Sequence, residues 1–204
     1  MEYRSKIELH NVDCMELMKT FKDNQFDLAI VDPPYRDENQ PTKDMRLNGS
    51  MKSLEGRPTI EYFNELYRVS KNQIIWGANN FQLPQFMGFI VYKKKTISEN
   101  FTMSMCEIAS LSKDLGTTSK WIEIAPQDPN RIHPTQKPVQ LYKWILYHYA
   151  EEGQSVLDTH LGSGSIAIAC DDLGFDLTAC EIDKEYFDKA SQRIELHRRQ
   201  IKLF

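Results

Sequence analysis

Short apolar runs alternate with longer stretches of helical periodicity along most of this chain, and that alternation predicts its elements. Strands are expected near residues 6–11, 26–31, 73–76, 88–92, 106–111, 155–158 and 176–181, and helices over 14–21, 59–69, 138–150, 164–173 and 184–200. The last helix carries Ile194 and Leu196 on an otherwise charged surface. Strands alternating with helices imply an α/β fold, a mainly parallel sheet flanked by helices, with ligands bound at the carboxyl ends of the strands. Asp13, Asp32, Asp158 and Glu181 all fall where a predicted strand ends. Four acids are therefore expected along one sheet edge, although strand ends are also where ordinary soluble loops begin.

The apolar run Phe26–Val31 leads directly into Asp32-Pro33-Pro34-Tyr35. A residue before proline is driven into extended geometry, and neither proline carries an N–H. The Asp32 carboxylate and the Pro33 carbonyl can thus both accept from one ligand amine, with Tyr35 stacked on the ring that bears it. This set suits an exocyclic amino group on a flat base. A Pro-Pro turn leaving a strand is the plainer reading, but at ordinary residue usage the tetrapeptide arises by chance in roughly one chain in a thousand of this length.

A second constellation lies far downstream. Ser155–Asp158 reads as a short strand running into Thr159-His160-Leu161-Gly162-Ser163-Gly164-Ser165 and a helix. Glycines permit a tight turn and close approach to a ligand, and the N–H groups opening the helix face it. A Gly-x-Gly alone is weak evidence. Here a further strand follows and ends at Glu181, 181 − 162 = 19 residues past the first glycine, the position of a ribose-binding carboxylate in a Rossmann-like unit.

Between them stands His133-Pro134-Thr135-Gln136-Lys137-Pro138, by itself no more than a helix-opening signal. The order Asp-Pro-Pro-Tyr, then His-Pro-Thr-Gln-Lys-Pro, then Asp-x-x-x-Gly-x-Gly resembles the beta-class DNA amino-methyltransferases, small bacterial or phage enzymes often found in restriction-modification. Val12-Asp13-Cys14 and Gln73–Phe81 extend the resemblance. It implies a Rossmann-like methyltransferase fold with circularly permuted motif order, the catalytic half first. It also implies an S-adenosylmethionine-dependent, N6-adenine-specific enzyme that flips its base out of double-stranded DNA and leaves S-adenosylhomocysteine, with a homodimer as the habit of similar enzymes. Asp32, Pro33, Pro34 and Tyr35 would be catalytic. Asp13 and Cys14 would meet the cofactor adenine, and Glu181 the ribose. Asp158, Gly162, Ser163, Gly164 and Ser165 would form the loop under the methionine, while His133, Thr135 and Lys137 would close over its carboxylate. Two departures stand out: His160 where the family usually has phenylalanine, and Arg36 where glycine is common.

Composition adds limits. At 204 residues the chain supports one core, so a single domain over 1–204 is expected, with insertions at about 36–72 and 93–131 forming DNA-facing loops. No apolar run approaches the roughly 20 residues of a membrane span and no signal-peptide core is present, so the cytoplasm is the expected compartment. Cys14, Cys106, Cys170 and Cys180 lack Cys-x-x-Cys spacing and read as reduced thiols, with no metal site expected. Net charge is −4, yet Lys93-Lys94-Lys95, Lys43, Arg46, Lys52 and Arg57 offer phosphate contacts, or equally an ordinary solvated surface. Three other readings stay open: N4-cytosine methylation, RNA or protein-glutamine methylation, and a non-catalytic DNA- or cofactor-binding relative. Neither insertion carries a legible recognition code.

Overall fold

The computed structural model describes residues 5–35, 38–39, 54–100, 104–125 and 131–200. One eight-stranded sheet organises them. In chain order its strands are β1 (Ile7–His10), β2 (Phe26–Val31), β5 (Ser70–Trp76), β6 (Phe89–Lys94), β7 (Cys106–Leu111), β8 (Lys120–Ile124), β9 (Ser155–Asp158) and β10 (Asp176–Cys180). The short strands β3 (Glu38–Asn39) and β4 (Leu54–Glu55) form a separate antiparallel pair. The spatial order is β1-β10-β9-β2-β5-β7-β6-β8. Every pairing is parallel except those of β7, which runs against β5 and β6. The early and late halves of the chain meet where β2 lies beside β9, the kind of switch point at which open α/β sheets bind ligands.

Among the described residues five helices cover the faces: α1 (Cys14–Met18), α2 (Ile60–Val69), α3 (Val139–Tyr149), α4 (Ser165–Leu173) and α5 (Lys184–Arg199). The continuous apolar run of β2 explains both layers, because successive side chains point to opposite faces. Leu28 and Ile30 join Leu141, Ile145 and Leu146 of α3 and the buried face of α4. Ala29 and Val31 join Met18 of α1 and Tyr62, Phe63 and Leu66 of α2. α4 is buried through Asp171 and is bounded by Gly164 and Gly174, both left-handed. A Cβ at Gly164 would lie 2.8 Å from Ile194 Cδ1 of α5 and would sit on a left-handed backbone, which favours glycine here.

The fold differs from the sequence reading in three places. β5 begins at Ser70 rather than 73, because polar Ser70 and Asn72 pair with Phe26 and Leu28 of β2 before the apolar run starts. β8 falls where the sequence pattern predicts no strand; its Lys-Trp-Ile-Glu-Ile alternation belongs to an edge strand that pairs with β6 among the described residues. α1 stops at Met18 rather than 21, where i→i+3 bonds from Thr20 and Phe21 tighten the chain. Much of the two expected insertions is core architecture: α2 and the start of β5 in one, β7 and β8 in the other. Arg36, Lys43, Arg46 and Lys52 lie outside the described residues. Among the described residues no helix is long and apolar enough to cross a membrane.

Candidate active site

A cavity of about 890 Å³ opens at the carboxyl edge of β2, β9 and β10, near the upper end of the roughly 300–1,000 Å³ usual for small-molecule sites. Its lining brings together residues from all three sequence motifs, including Asp32, Tyr35, His133, Lys137, Gly162 and Glu181.

At one end, Asp32 leaves β2 and Tyr35 turns back over it, donating its hydroxyl to Asp32 Oδ1 at 2.7 Å. The ring of Tyr35 packs on the backbone turn after β5. Gly77 there is left-handed, and any Cβ at that position would overlap the ring. Lys137 pairs with Asp32 Oδ2 and lies 2.9 Å from Glu107 Oε2. Its ammonium also sits 5.1 Å over the Trp76 ring, a cation–π arrangement. Only 4% of the Lys137 side chain is exposed. Burial opposes its charge, but Asp32 and Glu107 outweigh burial and raise its pKa. Burial likewise opposes ionisation of Glu107, yet Lys137 and Lys94 bring its pKa down to about 2. Lys94 completes the chain at 2.6 Å from Glu107 Oε1.

Sequence reasoning from the ends of parallel strands does not reach Glu107 and Lys94. β7 runs antiparallel, so its beginning, with Glu107, lies at the same edge as the end of β6, where Lys93 is opposite Cys106 and the Lys94 N–H donates to the Met105 carbonyl. The clue was the lack of a predicted helix between 92 and 106, since a parallel connection needs a crossover. Lys94 thus turns inward and is not a surface phosphate ligand. Lys93 pairs with Glu123 at 3.2 Å, while Lys95 is exposed.

At the other end, the glycine loop, β10 and the start of α1 form the wall. Glu181 accepts the Gly162 N–H at 2.9 Å and the Asp183 N–H at 2.9 Å, and burial raises its pKa. Asp13 lines the cavity while its Oδ1 caps α1 through Met15 and Glu16. Cys14 beside it is a free thiol whose pKa burial pushes up to about 12, and Ser163 also lines the wall. His133 lies against Gly162 and stacks edge-on with Tyr186, the centroids 4.5 Å apart. Thr135 sits beside it, its hydroxyl 3.2 Å from His133 Nδ1. Burial lowers His133 and His160 to about 4, so both are neutral near pH 7. His160 hydrogen-bonds Thr159, which hydrogen-bonds Tyr62, so the departure from phenylalanine is accommodated by a buried polar chain.

Three predicted site residues stand behind the wall. Asp158 is level with Ala179 in β10, two residues short of Glu181, and by the register Ala29↔Leu157 it is two short of Asp32. It is therefore one layer deeper, 3% exposed, accepting the His160 N–H at 2.9 Å. Gly164 packs on α5, and Ser165 hydrogen-bonds Ser163 and Arg193.

The glycine loop and Glu181 thus stand at one end of a single cavity at a sheet edge, and Asp32 and Tyr35 at the other, an arrangement of the α/β ligand-binding class. The family is identified directly: residues 71–192, more than half of the chain, match the N6/N4 family of DNA methylases, and the chain belongs to that family. An Escherichia coli protein named as a methylase, YubD, is 26% identical over 211 residues, covering 89% of this chain and 87% of that protein. The S-adenosylmethionine complex of M1.HpyAVI superposes with a TM-score of 0.63 at 21% identity, over 92% of this chain and 98% of that one. The cytosine-N4-specific PvuII DNA methyltransferase superposes with a TM-score of 0.66 at 12% identity, over 98% and 89%. At these identities the two structures establish the Rossmann-like fold.

Proposed function

We propose that this protein transfers a methyl group from S-adenosylmethionine to the N6 amino group of adenine in DNA, releasing S-adenosylhomocysteine. The observation that carries the reading is the placement of the Asp32 carboxylate and the Tyr35 ring at one end of a cavity whose other end holds Gly162 and Glu181. The donor set fits the cofactor. Asp32 and Glu107 are matched by Lys137 and Lys94, whereas Asp13, Glu181 and Asp183 face the cavity beyond them with no further ammonium among the described lining residues, and the two nearby histidines are neutral, which suits a ligand bearing a sulfonium and an ammonium. Glu181 would hold the ribose hydroxyls and Asp13 the adenine. Thr135 and His133, beside Gly162, would meet the methionine part.

When bound, the cofactor would supply an electrophilic methyl on a sulfonium, with a neutral thioether as its leaving group. Asp32 and the Pro33 carbonyl accept the two amine hydrogens. This turns the nitrogen lone pair toward the methyl and stabilises the positive charge that grows on nitrogen. Asp32 acts as acceptor and electrostatic partner, and the methylated nitrogen then gives up one proton. Tyr35 supplies the stacking face for a base taken out of the duplex. N4-cytosine transfer would use the same acceptors. Mass spectrometry of nucleosides from unmethylated DNA treated with protein and cofactor tests the reading: N6-methyladenine is expected. N4-methylcytosine would move the target to cytosine, and no methylated base would remove the activity.

A further inference from the structure

We propose that Glu107 is a positioning residue for methyl transfer, acting through Lys137 to hold Asp32 in the orientation that accepts the target amine. The inference rests on the transferase reading above. Its basis is the alternating chain Lys94, Glu107, Lys137, Asp32, built from the end of β6, the start of β7, the segment before α3 and the end of β2.

An ammonium has three donors. Lys137 directs them toward Asp32 Oδ2, Glu107 Oε2 and, at 3.4 Å, the Tyr35 hydroxyl. With Asp32 its only anionic partner, the ammonium would be held from one side and would let that carboxylate swing. Glu107 holds it from a second side and keeps it charged, and Lys94 balances Glu107 in turn. Asp32 then has one oxygen engaged by Lys137 and the other by Tyr35. A carboxylate offers about four lone-pair directions, which leaves capacity toward the cavity. Tyr35, also 3.4 Å from Glu107 Oε2, is located by the same chain.

The groups bearing on Lys137 come from every side. Asp32 and Tyr35 follow β2, Glu107 lies on β7 and Asp158 on β9, with His133 on its own segment. Tyr142 of α3 feels both Asp32 and Glu107. With Glu107 neutralised, burial gains on the remaining carboxylates and the Lys137 pKa falls.

The test compares Glu107→Gln, Glu107→Asp and Lys94→Met with the parent. Readouts are tritiated-methyl transfer to unmethylated DNA of mixed sequence, calorimetry with S-adenosylmethionine, and thermal melting. Glu107→Gln is expected to lower kcat about 20- to 100-fold, with KM for DNA and the cofactor Kd within about twofold. Its kcat should also decline with rising pH in a range where the parent is flat, because Lys137 now loses its proton there. Glu107→Asp should recover most of the rate and lose that alkaline decline. Three results would overturn the inference: a Gln variant within twofold of the parent with the parent's pH profile, cofactor affinity falling in step with kcat, or an Asp variant no better than Gln. If Glu107→Gln does not fold, Lys94→Met decides. A three- to tenfold drop in kcat at unchanged cofactor affinity supports the chain, and an unchanged kcat overturns it. A parent that methylates no DNA overturns the transferase reading itself, and the inference with it.

Discussion

At the Asp32 end of the cavity each carboxylate has an ammonium beside it: Asp32 meets Lys137, and Glu107 meets both Lys137 and Lys94. At the Glu181 end, Glu181 and Asp13 accept backbone N–H groups, and no cation among the described cavity-lining residues is paired with them. The contrast matches two different ligands. A neutral amine develops charge only as it reacts, so its site needs a fixed, already compensated acceptor that does not reorganise. A ligand that is cationic before it binds is better met by acids left in excess.

The comparison is broken or sharpened by variants that act at one end only. The largest effect is expected of Asp32→Ala, which should reduce methyl transfer by about a thousandfold while leaving cofactor affinity within a few-fold. Turnover and calorimetry on the same preparation check this, and a rate near the parent's would remove Asp32 from the chemistry. Gly77→Ala comes next. Its Cβ would overlap the Tyr35 ring, and a displacement on the order of 1 Å lowers the rate about a hundredfold; equal loss of cofactor binding would show that the two ends are not separable.

Glu181→Ala should do the reverse, weakening the cofactor by roughly 1.5–3 kcal/mol, the scale of a lost charge-assisted hydrogen bond. Saturating cofactor should then restore most of the turnover, and unaltered affinity would sink the ribose assignment. The smallest effect is expected of Asp158→Asn. Burial raises Asp158 to about 8, above its unfolded value, so the free protein loses stability as pH rises from about 4 through 8. Asparagine should raise the melting temperature by a few degrees at pH 8–9 and leave it unchanged near pH 4. Equal melting curves at both pH values would mean that Asp158 carries no such strain.

Local chemistry was sufficient for much of this protein. A carboxylate before two prolines, a glycine loop between a strand and a helix, and an acid 19 residues past Gly162 are short-range patterns, because turn geometry and the length of one strand–helix–strand unit dictate them. The α/β alternation followed from hydrophobic period. What only the tertiary structure decided are the relations across the sheet. Lys137 meets Asp32 over 105 positions of sequence, and nothing local to either residue specifies the partner. Glu107 enters the site because one strand runs backwards, a choice made by pairing rather than by the composition of Cys106–Leu111. Asp158 sits beneath the wall instead of on it because strand register sets depth, and a difference of two residues exchanges a ligand-facing acid for a buried one.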